Sequence, residues 1–249
     1  MKVANRSRKW IRLSHRYLGI VVGVQLLLWT LGGIYFSWTN IDEIRGDHLK
    51  SSKQLVVNSE DSVDPVKATK NFLSENHSKE LIGVELIDVL GRNFYRIEHK
   101  NSEGKNKVAL ISVEDGTVRG PIVEAEAVKI ASAARAGESK LVGAVLLEEA
   151  NVGGHHEYRE HRLPAWAVSF EGEENFTVYL SAEDGEIGAF RTDNWRYFDF
   201  LWMFHTIDFV GRDNINNYLL RTMSILSLVT IVSGYLLFLI SRRRPRKRA

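Results

Sequence analysis

Two parts of this chain hold residue types that could do chemistry. The first is the segment Gly153-Gly-His-His-Glu-Tyr-Arg-Glu-His161. Placed on a helix, His156 and Glu160 fall four residues apart on one face, and so do Glu157 and His161. Imidazole and carboxylate at that spacing can chelate a divalent metal, which makes His156, Glu160 and His161 the candidate metal ligands. A metal site needs three or four converging groups on an ordered scaffold. A glycine-led stretch with Arg159 inside it and Arg162 just after it supplies neither, so the segment reads as a solvated polar loop. The second part is a pair of histidines, His15 and His205, each beside a long apolar run. His48, His77 and His99 are isolated and read as surface residues.

What the chain lacks narrows the chemistry further. It has no cysteine, which excludes disulfides, Cys-ligated zinc, iron–sulfur clusters and thiol catalysis. It has no phosphate-cradling glycine loop, no Gly-x-Ser-x-Gly and no His-Glu-x-x-His. The acidic pairs Glu114-Asp115 and Glu183-Asp184 each precede a glycine and read as turn residues rather than a catalytic dyad. Arg191, Thr192, Asp193 and Arg196 read as the joint between a folded domain and a membrane segment.

The elements that position these residues begin with two apolar runs, Leu18 to Phe36 and Thr222 to Ile240, neither of which holds a charge. About 19 helical residues at ~1.5 Å each cover a bilayer's hydrocarbon core. The chain carries a net charge of +2, and its Lys and Arg cluster at the ends, between Lys2 and Arg16 and between Arg242 and Arg248. Basic flanks that abut apolar spans stay cytoplasmic, and topology explains them better than nucleic acid does. The aromatic residues after the first run, Tyr35, Phe36 and Trp38, suit a membrane interface rather than a cleavage site. The spacing therefore predicts an uncleaved helix over Ser14 to Trp38. Gly19 with Gly23, and Ser233 with Gly234, offer flat surfaces for close helix approach. They either pack the two spans within one chain or pair it with a second copy.

Between the spans the pattern repeats. Asp64 to Asn76 has helical spacing, with Asp64 and Pro65 as a start signal. Strands follow at Leu81 to Ile87, Phe94 to Ile97 and Val108 to Ser112, closing on Glu114-Asp115-Gly116. The second copy runs from the helix at Glu124 to Ala136, through strands at Leu141 to Leu147, Ala165 to Phe170 and Phe176 to Leu180, to Glu183-Asp184-Gly185. The Asp-Gly pairs suit tight hairpins in which both positions take positive φ. Each copy buries one helix on one antiparallel sheet, and the His-rich stretch is an insertion in the second. Asn40 to Asp61 is polar and reads as a linker with little structure. The aromatic run from Trp195 to Phe204 is too short to span and suits a helix lying in the outer interface.

The repeat ending in Glu-Asp-Gly resembles the PepSY domain. Ser14-His15-Arg16-Tyr17-Leu18-Gly19, Leu163-Pro-Ala-Trp166, the run Phe198-Asp-Phe-Leu-Trp-Met-Phe-His205 after Trp195-Arg196, and Arg212-Asp213-Asn214 resemble the PepSY-associated transmembrane family. The resemblance covers nearly the whole chain and implies a bacterial inner-membrane protein with a periplasmic PepSY region. Some longer members look like b-haem ferric-siderophore reductases in which membrane histidines hold haem. His15 and His205 match family histidines and are thereby the candidate haem ligands. At helical rise they stand roughly 30–37 Å apart, at opposite faces of the membrane. A bis-histidine haem would thus need a second copy or a partner protein.

These readings combine into an α+β membrane protein, with two antiparallel transmembrane helices and a periplasmic tandem of PepSY-like helix-on-antiparallel-sheet units. The expected divisions are 1–39 (basic tail and first span), 40–62 (linker), 63–122 and 123–192 (the two units), 193–216 (interfacial aromatic segment) and 217–249 (second span and basic tail). Two spans, rather than the four of the reductase-like members it resembles, lead us to expect a non-catalytic accessory or binding subunit beside an iron-uptake or respiratory redox system. The alternatives are a b-haem electron-transfer protein and a peptidase-inhibitor-like module. Expected partners are the lipid bilayer and a second copy or another membrane protein, with no nucleic acid.

Overall fold

The structure is a computed structural model that describes residues 2–50, 62–77 and 80–242, the side chains of 2–8 and 242 excepted. The C-terminal basic flank beyond residue 242 and residues 51–61 of the expected linker therefore lie outside the described residues. The chain forms two compact units, Ile41–Arg196 and the two terminal segments Met1–Asn40 with Tyr197–Ala249.

The central unit is the tandem α+β repeat. Helix α3 (Pro65–Glu75) starts where the sequence places it. The Asp64 carboxylate accepts the Val66 and Lys67 N–H groups at 2.7 and 3.0 Å, satisfying two donors of the first turn. Strands β1 (Glu80–Val89), β2 (Arg92–Lys100), β3 (Asn106–Ser112) and β4 (Val118–Arg119) form an antiparallel sheet in chain order. Helix α4 (Glu124–Ala134) opens the second copy, where Glu126 reaches back to accept the Val123 N–H. Strands β5 (Lys140–Leu147), β6 (Ala165–Glu171), β7 (Phe176–Ser181) and β8 (Ile187–Thr192) make the second sheet, again in chain order. The copies share a local irregularity: the register shifts between Leu81 and Gly83 on β1, and between Leu141 and Gly143 on β5.

Side-chain alternation along β2 assigns each face a job. Tyr95 and Ile97 pack with Ala68 and Phe72 of α3. Phe94, on the other face, joins a core with Ala127 and Ala131 of α4 and with Val168, Phe170 and Val178 of the second sheet. Helix α4 is thus packed by both sheets, which explains why its inward residues are alanines. The second sheet's remaining face is covered by the insertion, where Tyr158 packs with Leu147, Ala165, Tyr179 and Ala189.

Three expectations need correction. The glycine of each Glu-Asp-Gly turn alone takes positive φ, 74° at Gly116 and 75° at Gly185. The aspartate contributes differently, with its carboxylate accepting the N–H two residues on, from Thr117 and from Glu186. The start of the expected linker is structured. Helix α2 (Ile41–Ile44) buries Ile44, and Lys50 bridges to Arg135. His99 is buried against Phe72, with ring centroids 5.1 Å apart, because it shares the inward face of β2 with Tyr95 and Ile97.

The other unit contains two helices long and apolar enough to cross a membrane, α1 (Lys2–Trp38) and α6 (Tyr218–Arg242). They lie antiparallel, with His15 beside Ser233. Along them Ser227 and Thr230 of α6 are buried, as is the apolar Val22 of α1. Helix α5 (Asp193–Thr206) begins in the central unit, and its later turns run beside the end of α1. Phe198 packs on Phe36 at 4.8 Å, while Gln25 and Trp29 donate to the Phe204 and His205 carbonyls at 2.8 and 2.9 Å. These two bonds occupy carbonyls that the C-terminus of α5 leaves open.

Candidate functional site

The sequence-predicted site residues are not gathered in one place. His15 sits in the notch left by Gly234, where an added Cβ would lie 2.9 Å from the ring Cε1. Its Nδ1 lies 2.8 Å from Ser233 Oγ, which itself donates to the Thr230 carbonyl. The hydroxyl proton is used there, so Ser233 accepts the Nδ1–H. His205 is exposed, stacked on Trp202 with centroids 5.5 Å apart, and flanked by Trp29 and Phe36. It lies near Phe36, about 21 residues along α1 from His15, or roughly 31 Å at helical rise. One chain therefore offers a single imidazole at each end of the helix pair, and by itself it does not make a bis-histidine haem site.

The His-rich insertion is neither helical nor loosely solvated. It is a run of turns entered by a short 3-10 helix, Glu149–Asn151. Its helical pairings therefore do not form: His156 Nδ1 accepts the Tyr158 N–H, Glu160 takes a φ of 64°, and His161 stacks on Tyr158. Among the described residues no three His, Cys, Asp or Glu side chains converge as a metal requires.

What the insertion builds is a clamp on the first turn of α5. Arg196 lays its fork on Glu157, with Nε to Oε2 at 2.7 Å and Nη2 to Oε1 at 3.0 Å. Its Nη1 donates to Asp193 at 2.6 Å. The Tyr179 hydroxyl donates to the same Glu157 carboxylate at 2.6 Å. Burial, then the Glu157 hydrogen bond, pushes the Tyr179 phenol above its usual range, while the Glu157 hydrogen bond raises Arg196. Arg191 donates to the Glu157 carbonyl and lies 4.1 Å above the Trp195 ring. Arg191, Asp193 and Arg196 are thus tied together within the central unit, and Glu157 is the centre of the cluster.

The clamp contains a pH-sensitive contact. Arg191 lies 3.3 Å from His161 Nε2 and can only donate, so His161 is neutral there. Burial, then the charge of Arg191, holds this imidazole below its usual value. A folded value depressed in this way leaves its stability in place above the unfolded value of about 6.5, and that stability is lost as pH falls through the folded value. Acidification from pH 7.5 to 5 should increase tryptic cleavage at Arg159 and Arg162. With cleavage expressed relative to an unfolded substrate at each pH, which removes trypsin's own pH dependence, the increase should be absent in His161→Phe, which keeps the stack.

A second ionic cluster latches the two repeats. Arg96 of β2 donates from Nε to Asp184 at 2.8 Å, from Nη1 to Glu85 at 3.2 Å, and from Nη2 to Glu186 at 2.9 Å. Glu98 lies 2.9 Å from the same Nη2. Arg162 of the insertion adds contacts to Asp184 and Glu186 at 2.9 and 2.7 Å. The Asp184 side chain is fully buried. Burial alone would raise its carboxyl, but hydrogen bonds from Ser181 and Arg96 and the charge of Arg162 outweigh that and hold it below the usual range. The equivalent Asp115 is an exposed turn residue, lowered to about 2 by its Thr117 and Ser112 hydrogen bonds. One copy of a repeated turn has thus become a structural latch; sequence reasoning missed Arg96 and Tyr179, and it missed the ion-pair roles of Asp184 and Glu157.

Compared with known protein families, with curated proteins and with solved structures, the chain matches none.

Proposed function

We propose that the protein is a membrane-anchored accessory subunit. It holds a PepSY-like tandem body on the periplasmic side of a bacterial inner membrane, with both termini cytoplasmic, and serves an iron-uptake or respiratory redox system by binding rather than by catalysis. The observation that carries the reading is the apolar surface left open on α1 and α6. Ile20, Val24, Ile225 and Leu228 are each more than 60% exposed, and only lipid or another membrane helix covers such a surface at low cost. The four-strand bodies of both copies and the basic flanks of the two spans are consistent with the family resemblance. The test is an optical spectrum of the full chain purified from membranes with haem available, before and after dithionite. The accessory reading expects no Soret band.

A second reading, a b-haem electron carrier, is favoured by the imidazole of His15 and the exposed ring of His205, each able to meet its counterpart in a second copy. A reduced α-band of six-coordinate b haem would select it and overturn the first.

A second copy has a surface to meet. Gly19 and Gly23 do not form the α1–α6 seam: a Cβ at either position would touch nothing within 4 Å. Gly23→Leu should therefore leave the helix pair intact and convert a detergent-solubilised dimer to monomer by light scattering. A dimer that survives the change places the contact elsewhere.

A further inference from the structure

The latch between the repeats borders a cavity of about 330 Å3. It lies between β1, the later turns of α4 and the turn that follows β7. Its volume is near the lower end of the ~300–1,000 Å3 usual for small-molecule sites, room for one short chain. One wall is apolar, made by Ile87, Val89, Ile130, Ala134 and Ile187. The polar wall is acidic, with Glu85, Asp88, Asp184 and Glu186 beside Arg96.

Arg96 does not make this an anion site. All three of its nitrogens are committed to carboxylates, and Arg162 is committed to two of the same groups. Among the described residues, Glu85, Glu98, Asp184 and Glu186 thus share two guanidiniums, two fewer than the carboxylates they face. The distribution is also directional. Asp184 is fully buried, whereas the Glu85 and Glu186 side chains are 63% and 56% exposed and stand toward solvent. An anionic ligand meets repulsion here, and a neutral one leaves the acidic wall unmatched. A short apolar chain ending in a cation satisfies both walls, with its methylenes on Ile130 and Ile187 and its charge between Glu85 and Glu186.

We propose that this cavity binds an aliphatic cation, either a free alkylamine or the side chain of a lysine or arginine presented by a peptide. The inference deepens the binding role proposed above. None of its residues belongs to α1, α5 or α6, so its failure leaves the membrane anchor standing. The peptide source has a structural route, since β1 is the edge strand of its sheet and borders the cavity.

Calorimetric titration of the full chain in detergent, with hexylamine, hexanol, hexanoate and acetyl-Val-Lys-Val-amide, tests it. Hexylamine should bind saturably and at least 10-fold tighter than hexanol, and hexanoate should not bind. Glu85→Gln, at an exposed position, should weaken hexylamine about 10-fold and leave hexanol unchanged, and Ala134→Phe should abolish binding by filling the cavity. A tripeptide that binds 10-fold tighter than hexylamine identifies a peptide as the source, and equal affinities identify a free amine. Equal binding of hexylamine, hexanol and hexanoate, or hexylamine affinity unaffected by Glu85→Gln, overturns the proposal.

Discussion

Arg96→Met should lower the stability of the protein by about 3–5 kcal/mol, on the order of a 10 °C fall in Tm. The reason is the partner left behind. Asp184 has no exposed side-chain surface, and without Arg96 its charge is balanced from one side only, by Arg162. Removing one member of a buried ion pair costs far more than removing both, so Arg96→Met combined with Asp184→Asn should recover part of the loss. The pH dependence carries a second signature. The folded Asp184 carboxyl lies below its unfolded value. Its contribution is therefore present above about pH 3.9 and is lost as pH falls through the folded value. Wild type should lose stability below pH 4 more steeply than Arg96→Met does. Thermal unfolding at pH 7 and pH 3.5 measures both effects, and parallel pH profiles would rule out Asp184 as the titrating partner.

Tyr158→Ala should be the next largest, a loss of roughly 3–5 kcal/mol by analogy with truncation of a buried aromatic residue. Tyr158 is 2% exposed and stacks between Tyr179 at 4.7 Å and His161 at 4.6 Å. It also rests on Gly188, where an added Cβ would come 2.9 Å from the phenol oxygen. Without the ring the insertion loses its seat on the sheet, and Glu157 loses the support that aims it at Arg196. The variant should be cleaved by trypsin at Arg159 and Arg162 under conditions that leave wild type intact. Tyr158→Phe, which keeps the stack, should behave like wild type. An Ala variant as resistant as wild type would mean that the clamp stands on Glu157 and Arg196 alone.

Much of this architecture was legible because it is written in local signals. Asp64-Pro65 marked the start of α3, alternation marked β6, and the repeated Glu-Asp-Gly marked both turns. The two apolar runs marked α1 and α6, although α1 extends well before Ser14. The sites were less legible, because they depend on pairs far apart in the chain. Arg96 and Asp184 lie 88 positions apart, and Glu157 and Arg196 lie 39 apart. Nothing within a few residues of Arg96 distinguishes it from a solvated strand cation. The His-rich insertion misled for a related reason: its polarity looked solvent-facing, whereas its one large apolar group, Tyr158, fixes it in place. Gly19 and Gly23 had two readings in sequence because a flat helix face does not say what faces it. The fold leaves Gly19 and Gly23 with no neighbour in the chain while Val22 on the same helix is buried.

The absence of cysteine makes the central claim open to a direct measurement. Single cysteines at Glu103, in the turn between β2 and β3, and at Lys9, on the basic end of α1, can be treated with a membrane-impermeant maleimide in spheroplasts. An anchored body outside the membrane, with both ends inside, predicts that Glu103→Cys labels in intact spheroplasts and Lys9→Cys only after lysis. Labelling of both before lysis, or of Lys9→Cys alone, would contradict the account.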